Sequence, residues 1–111
     1  MATETTKYNG WTNYETWCVN LWMTGDQPSD KRWRQVARRA WESAKADATF
    51  SRSENARITL AEWLDQEITA GNPVEGATLW SDLVNSALSE VDWHELANAF
   101  LADMEGYELQ S

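Results

Sequence analysis

Apolar side chains recur at helical spacing along most of the chain, and no segment alternates strictly between apolar and polar as a half-buried strand does. Five segments repeat apolar residues at i, i+3, i+4 and i+7, and short connections separate them. This pattern predicts an all-α fold, a compact single-domain bundle of about five short helices within residues 1–111. Residues 1–7 precede the first apolar stripe, and we expect them to form a flexible tail.

Each predicted helix carries one apolar stripe that we expect to face the core. In chain order, the predicted helices cover about 13–24, 29–48, 53–70 or 59–70, a segment after 72–76, and a segment from 92 onwards. Their stripes are Tyr14, Trp17, Cys18, Leu21 and Trp22; Trp33, Val36, Ala37, Ala40, Trp41 and Ala44; Leu60, Ala61, Leu64 and Ile68; Trp80, Leu83, Val84, Ala87 and Leu88; and Trp93, Leu96, Ala97, Phe100, Leu101 and Met104.

Helix starts are indicated by pairs of residues with the spacing of a capping box, in which two side chains satisfy each other's backbone N–H groups. The pairs are Thr12 and Glu15, Ser51 and Glu54, Thr59 and Glu62, and Asp92 and Glu95. Glycines that favour helix ends follow at Gly25, Gly71 and Gly106.

The segment "YNGWTNYETW", residues 8–17, combines four aromatic residues with the turn dipeptide Asn9-Gly10. A structural interpretation explains all of it: a staple, a capping box and the first residues of a buried stripe. Trp11 is the staple, Thr12 and Glu15 form the capping box, and Tyr14 and Trp17 begin the buried stripe. The alternative is an exposed aromatic patch that binds a partner. The structural interpretation predicts that Trp17 is largely buried.

The net charge of −9 is distributed unevenly. Residues 1–57 contain all nine Lys and Arg residues and seven acids, whereas residues 58–111 contain eleven acids and no Lys or Arg. The single cysteine excludes an internal disulfide, no leader segment is visible, and the longest mostly apolar run, "WCVNLWM", is too short to cross a bilayer. We therefore expect a soluble protein of the cytoplasm that does not bind membranes.

Candidate catalytic chemistry is sparse. His94 lies between acids, but no nucleophile or second base is close in sequence, and we expect it to face water. Cys18 lies on an apolar stripe, which favours a buried, unreactive thiol. No phosphate-binding loop or metal-ligand spacing occurs, so the sequence predicts a non-enzymatic protein without cofactor or metal.

Two charged surfaces are candidates for binding. The first consists of acids outside the apolar stripes, which we expect to form a negative face: Asp82, Asp92, Glu95, Asp103, Glu62 and Asp65. The second is a basic cluster on the second helix that could contact phosphates: Lys31, Arg32, Arg34, Arg38 and Arg39. Both surfaces also have a simpler interpretation, the acids as a solubility device and the basic cluster as a solvated helix face that pairs with acids elsewhere in the bundle.

The segments "NGWTNYETWCVNLW" and "VDWHELA" resemble the first and last motifs of a family of short proteins from phages, plasmids and archaeal viruses. The signature of that family is N-G-W-x-N-Y-E-T-W, and the resemblance covers about a quarter of the chain. It implies a mobile-element origin and a small helical fold, and it carries over no catalytic residue.

Charge and resemblance together predict an inhibitor of the anti-CRISPR or anti-restriction type. Its acidic face would bind a basic groove on a host protein that handles nucleic acid, as a nucleic-acid mimic does. The alternative is a small accessory protein that binds nucleic acid through the basic second helix. Since the whole chain is negative, we do not expect direct binding to nucleic acid. The oligomeric state is left open.

Overall fold

The computed structural model describes residues 8–110 as five α-helices joined by turns and loops. The helices are α1 (Tyr14–Thr24), α2 (Gln27–Ser43), α3 (Arg52–Ala70), α4 (Leu79–Ser89) and α5 (Trp93–Leu101). The predicted all-α fold is confirmed. The flexible tail expected at residues 1–7 lies outside the described residues.

The core lies mainly between α3 and α5, and α2 packs against both. These three helices bury the stripes predicted for them, and burying one large aliphatic or aromatic side chain stabilises the fold by roughly 1.5–3 kcal/mol. The buried members are Trp33, Ala37, Ala40 and Trp41 of α2; Leu60, Ala61 and Leu64 of α3; and Leu96, Ala97, Phe100 and Leu101 of α5.

The stripe predicted for α1 is wrong, because that face of the helix points outward. Tyr14 and Leu21 are about half exposed, and Trp22 is 76% exposed. The buried residues of α1 are Thr16 and Met23, seven positions apart and therefore on one face. The Thr16 hydroxyl accepts the backbone N–H of Asp92 at 2.9 Å, which turns this face towards the start of α5.

The stripe predicted for α4 is also largely wrong. Leu79, Trp80, Leu83 and Ala87 are exposed, and Ser81 is the only fully buried residue of the helix. The α4 helix is held by its own N-terminal capping box, in which Thr78 and Ser81 exchange hydrogen bonds, rather than by extensive packing against another described helix.

The predicted helix starts have mixed outcomes. Ser51 and Glu54 form the reciprocal capping box that opens α3, and Asp92 is the N-cap of α5. Thr59 lies inside α3 and starts no helix. The predicted capping box of Thr12 with Glu15 is wrong: Asn13 is the N-cap of α1. Among the predicted stops, Gly25 and Gly71 are C-caps, whereas Gly106 lies five residues beyond the last residue of α5.

The α2 helix ends at Ser43, five residues before the predicted end, and begins at Gln27, after the N-cap Asp26. A turn follows this early end, in which the Asp47 carboxylate accepts the backbone N–H groups of Thr49 and Phe50. Such a local turn competes with helical hydrogen bonds.

The aromatic N-terminal segment forms a tight turn and a ring cluster. Asn9 and Gly10 both have positive φ, 48° and 90°, and Tyr8 and Trp11 exchange backbone hydrogen bonds across them. The rings of Tyr8, Tyr14 and Trp17 lie 5.0–5.5 Å apart. Trp17 is partly buried, and its ring packs against those of Tyr8 and Tyr14. Trp11, partly buried, packs against the core, as a structural role for the segment requires.

Candidate protein-binding surfaces

Two of the predicted partner-binding acids, Asp92 and Glu95, have structural contacts of their own. Asp92 Oδ1 accepts the backbone N–H of Glu95 at 3.0 Å and so caps α5. The Glu95 carboxylate accepts the backbone N–H of Thr12, also at 3.0 Å. Both acids are partly buried. They join the starts of α1 and α5, so neither is a freely replaceable surface charge.

The other four predicted acids lie on three different parts of the fold, with Glu62 and Asp65 one turn apart on α3. Asp103 follows α5, and its carboxylate lies 3.2 Å from Arg34 Nη1 in an ion pair. Glu62 and Asp65 are exposed on α3, and Asp82 is exposed on α4. Within residues 8–110 these last three acids form no ion pair. The fold therefore divides the predicted acidic face among separate helices.

A polar cleft of about 550 Å³ lies beside the start of α5. At its edge, Arg57 Nη1 lies 2.9 Å from His94 Nδ1. Because a guanidinium can only donate, His94 Nδ1 is the acceptor in this contact. Arg57 Nε is buried and has no hydrogen-bond partner among residues 8–110. The residues that line the cleft are Thr12, Arg57, Asp92, His94, Glu95, Asn98 and Gln110.

The C-terminal segment forms one wall of this cleft. Asn98 Oδ1 accepts both the Tyr107 hydroxyl at 2.6 Å and the Gln110 backbone N–H at 2.9 Å. Burial raises the pKa of Tyr107, and the nearby positive charge of Arg57 acts against that rise. Asn98 therefore fixes residues 107–110 against α5, a contact between segments that helical periodicity does not reveal.

The basic cluster on α2 is partly neutralised. Arg32 Nη2 lies 2.7 Å from Glu67, and Arg34 contacts both Asp30 and Asp103. These contacts agree with the simpler interpretation, in which the helix pairs with acids elsewhere in the bundle. The remaining members of the cluster, Lys31, Arg38 and Arg39, are exposed and form no ion pair within the described range.

The outward face of α1 is apolar and nearly uncharged. Glu15 is the only charged residue of Tyr14–Thr24. The neighbouring Cys18, followed by desolvation, raises the pKa of the Tyr14 phenol. Beside Trp22, a groove of about 300 Å³ is lined by Cys18, Val19, Trp22, Met23, Trp33 and Ile68. Cys18 is partly exposed, which differs from the expected burial.

The apolar faces of α1 and α4 meet at a second cleft. Cys18 of α1 and Ala87 of α4 both line it. Cys18 lies one turn before Trp22, and Ala87 lies one turn after Leu83 and two turns after Trp80, so each residue shares a helix face with the exposed side chains. We call these exposed side chains the α1–α4 apolar surface: Tyr14, Leu21, Trp22, Leu79, Trp80 and Leu83.

Several residues that build these surfaces had no signal in the sequence. Thr16 and Arg57 act through contacts with α5, which follows them by dozens of residues. Asn13 had a local signal, because asparagine is as good an N-cap as threonine, but Thr12 with Glu15 matched the capping-box spacing better.

The fold and its surfaces define a small all-α protein with an acidic second half and an apolar surface that no segment within residues 8–110 covers. The chain belongs to a family of unknown function, DUF7249, whose family model matches residues 4–105. No curated protein and no solved structure matches the chain.

The described residues include neither a membrane-spanning helix nor a group of metal-binding side chains. None of the described helices combines the length and apolar character needed to cross a bilayer. Across residues 8–110, no three His, Cys, Asp or Glu side chains form a group that could hold a metal ion.

Proposed function

We propose that this protein acts without catalysis, by binding a host protein that has a basic surface. The observation that carries the proposal is the unneutralised charge of the second half. Residues 58–111 contain eleven acids and no Lys or Arg. Among the described residues, Glu67 and Asp103 are the members of this set that pair with arginine. The remaining carboxylates repel one another and attract cationic surfaces.

Glu62, Asp65 and Asp82 are the preferred contact residues. They are exposed, and their carboxylates do not pair with a cation within the described range. Asp92 caps α5 and Glu95 accepts the backbone N–H of Thr12, so both stabilise the fold. Asp103 is already paired with Arg34. Charges at a rim act mainly on the rate of association and are screened by salt, so the complex should form more slowly as ionic strength rises.

The finer proposal is that the partner is a restriction or CRISPR effector. Such proteins carry basic grooves for nucleic acid, and an acidic protein can occupy a groove of this kind by charge. The resemblance of residues 9–22 and 91–97 to proteins of mobile elements supports this choice, because such elements gain from blocking host defences.

Two matched triple variants test the proposal and its alternative. Replacing Glu62, Asp65 and Asp82 by Lys adds two positive charges per site and brings the net charge from −9 to −3. Replacing Lys31, Arg38 and Arg39 by Glu changes the basic cluster by the same number of charges. Both sets use exposed residues, so circular dichroism should show a helical protein in each case.

The readout is capture of proteins from a bacterial lysate at low and high salt, with the plating efficiency of phage on restricting and CRISPR-bearing hosts. We expect the acidic set of changes to abolish salt-sensitive capture and protection, and the basic set to preserve both. If the acidic variant is folded and fully active, the proposal is wrong. If wild type binds duplex DNA tightly at about 0.15 M salt, where the screening length is about 8 Å, the nucleic-acid-binding alternative replaces it.

A further inference from the structure

We propose that the α1–α4 apolar surface is the interface with a second copy of this chain. The inference goes beyond the proposed function, because it uses the apolar side chains rather than the carboxylates. Trp22 is 76% exposed and Trp80 is 67% exposed. Single exposed apolar residues are ordinary, but six large ones on two adjoining helices form a patch of the kind that marks an interaction site.

Packing among residues 8–110 leaves the apolar face of α4 uncovered, and contact with a second copy would stabilise this helix. An isolated helix of fewer than about 12–15 residues is marginal in water. The α4 helix has 11 residues, and its one fully buried residue is Ser81. The exposed side chains Trp80, Leu83 and Ala87 lie at i, i+3 and i+7, which is the pattern of a helix that lays its apolar face into a groove.

Each copy offers both a ridge and a groove. The ridge is the outer face of α4, and the groove of about 300 Å³ lies beside Trp22, between α1 and the side chains of Trp33 and Ile68. A two-fold symmetric interface needs a self-complementary surface, in which each copy gives what the other receives. The α4 ridge of one copy entering the α1 groove of the other satisfies this requirement twice.

Charge favours a second copy over a basic partner at this place. Two molecules of net charge −9 repel each other, so they can associate only through a surface with little charge. Helices α1 and α4 each contain one charged residue, Glu15 and Asp82. A basic partner would instead be drawn to carboxylates such as Glu62 and Asp65, which are exposed on α3.

The available area is close to that of a stable dimer. Six large side chains that are each half to three-quarters exposed present on the order of 600 Å² of apolar surface. A standard interface uses about 800 Å² per partner. The remaining area can come from the groove walls beside them.

Sedimentation analysis of the full chain tests the inference. We expect wild type to reach twice its 12.7 kDa monomer mass as its concentration rises through the micromolar range. Added NaCl should tighten this dimer, because salt screens repulsion between the copies, whereas it should weaken binding to a basic partner. The two proposals can therefore fail separately.

The matched variants are Leu83→Glu and Leu109→Glu. Both replace an exposed leucine and add one negative charge, but Leu109, 68% exposed, lies outside the proposed interface. We expect Leu83→Glu to weaken the dimer at least tenfold and Leu109→Glu to leave it within twofold. A wild type that stays monomeric at high micromolar concentration, or a dimer equally sensitive to both changes, would overturn the inference.

If Leu83→Glu fails to fold, amide hydrogen exchange of the wild-type protein still tests whether α4 lies in the interface. In dilute protein the α4 amides should exchange with little protection while those of α3 and α5 stay protected. Concentrated protein should protect the α4 amides at least tenfold more. A mass that doubles without added protection of α4 would place the interface elsewhere and reject this assignment.

Discussion

Glu95 accepts the backbone N–H of Thr12 across 83 positions of sequence, with 3.0 Å between oxygen and nitrogen. This bond joins the residues before α1 to the first turn of α5. Since a charged acceptor strengthens a hydrogen bond but partial exposure weakens it, we expect Glu95→Ala to lower the free energy of unfolding by about 1 kcal/mol. Glu95→Gln keeps an acceptor and should lose less. Urea denaturation of the three proteins checks this order, and equal stability for Glu95→Ala and wild type would contradict it.

The N-cap of α1 gives a second prediction. Asn13 Oδ1 accepts the Thr16 N–H at 2.9 Å, and its Nδ2 donates to the carbonyl of Glu90. Asn13→Ala should therefore cost about 1 kcal/mol or somewhat more. Thr12→Ala is the control: within residues 8–110 Thr12 bonds through its backbone alone, so the change should alter stability by less than about 0.5 kcal/mol. The opposite order in thermal or urea unfolding would restore Thr12 as the cap.

Thr16 is a buried polar residue that no stripe predicted. Its hydroxyl donates to Asn13 Oδ1 at 2.6 Å and accepts the Asp92 N–H at 2.9 Å. Thr16→Val keeps the shape but leaves the Asp92 N–H without this partner, so we expect a loss of about 1–3 kcal/mol. Thr16→Ser keeps both bonds and removes one methyl group, at a cost of about 1 kcal/mol. Calorimetry of both variants tests the order, and a Val variant as stable as wild type would show that the bond contributes nothing.

Asp47 predicts a dependence of stability on pH. Its carboxylate accepts the N–H groups of Phe50 and Thr49 and the side-chain amide of Asn55, and these bonds lower the pKa of Asp47 below its ordinary 3.8. The bonds to the ionised Asp47 carboxylate stabilise the folded protein fully at pH values above the ordinary pKa. This contribution is lost as the pH falls through the lower pKa of the folded state. Asp47→Asn should therefore be less stable than wild type at neutral pH.

The difference between wild type and Asp47→Asn should shrink as the pH falls from about 3.8 through the lowered folded pKa, because the folded wild-type carboxylate then becomes neutral as well. Thermal unfolding of both proteins at neutral and acidic pH measures this difference. A gap that stays constant over that range would show that the charge of Asp47 is not its cause.

Local sequence determined where most helices form and which face three of them bury. The caps Ser51 and Asp92 satisfy backbone groups only three residues away, so their signal is complete within one turn. The stripes of α2, α3 and α5 are buried because these helices pack on one another, and Leu60 and Leu96 are fully enclosed. Periodicity and burial agree wherever a helix has neighbours for its apolar face.

Tertiary structure alone decided the orientation of α1 and the exposure of α4. A helical period reports that a face is apolar, but it does not report whether the same chain covers that face. Thr16 turns α1 through a bond to Asp92, 76 positions later, and Trp22 is left in water as a result. Nor could local sequence place Glu95 against Thr12 or Arg57 beside His94, because hydrogen bonds between distant segments depend on how the helices pack, which local spacing does not encode.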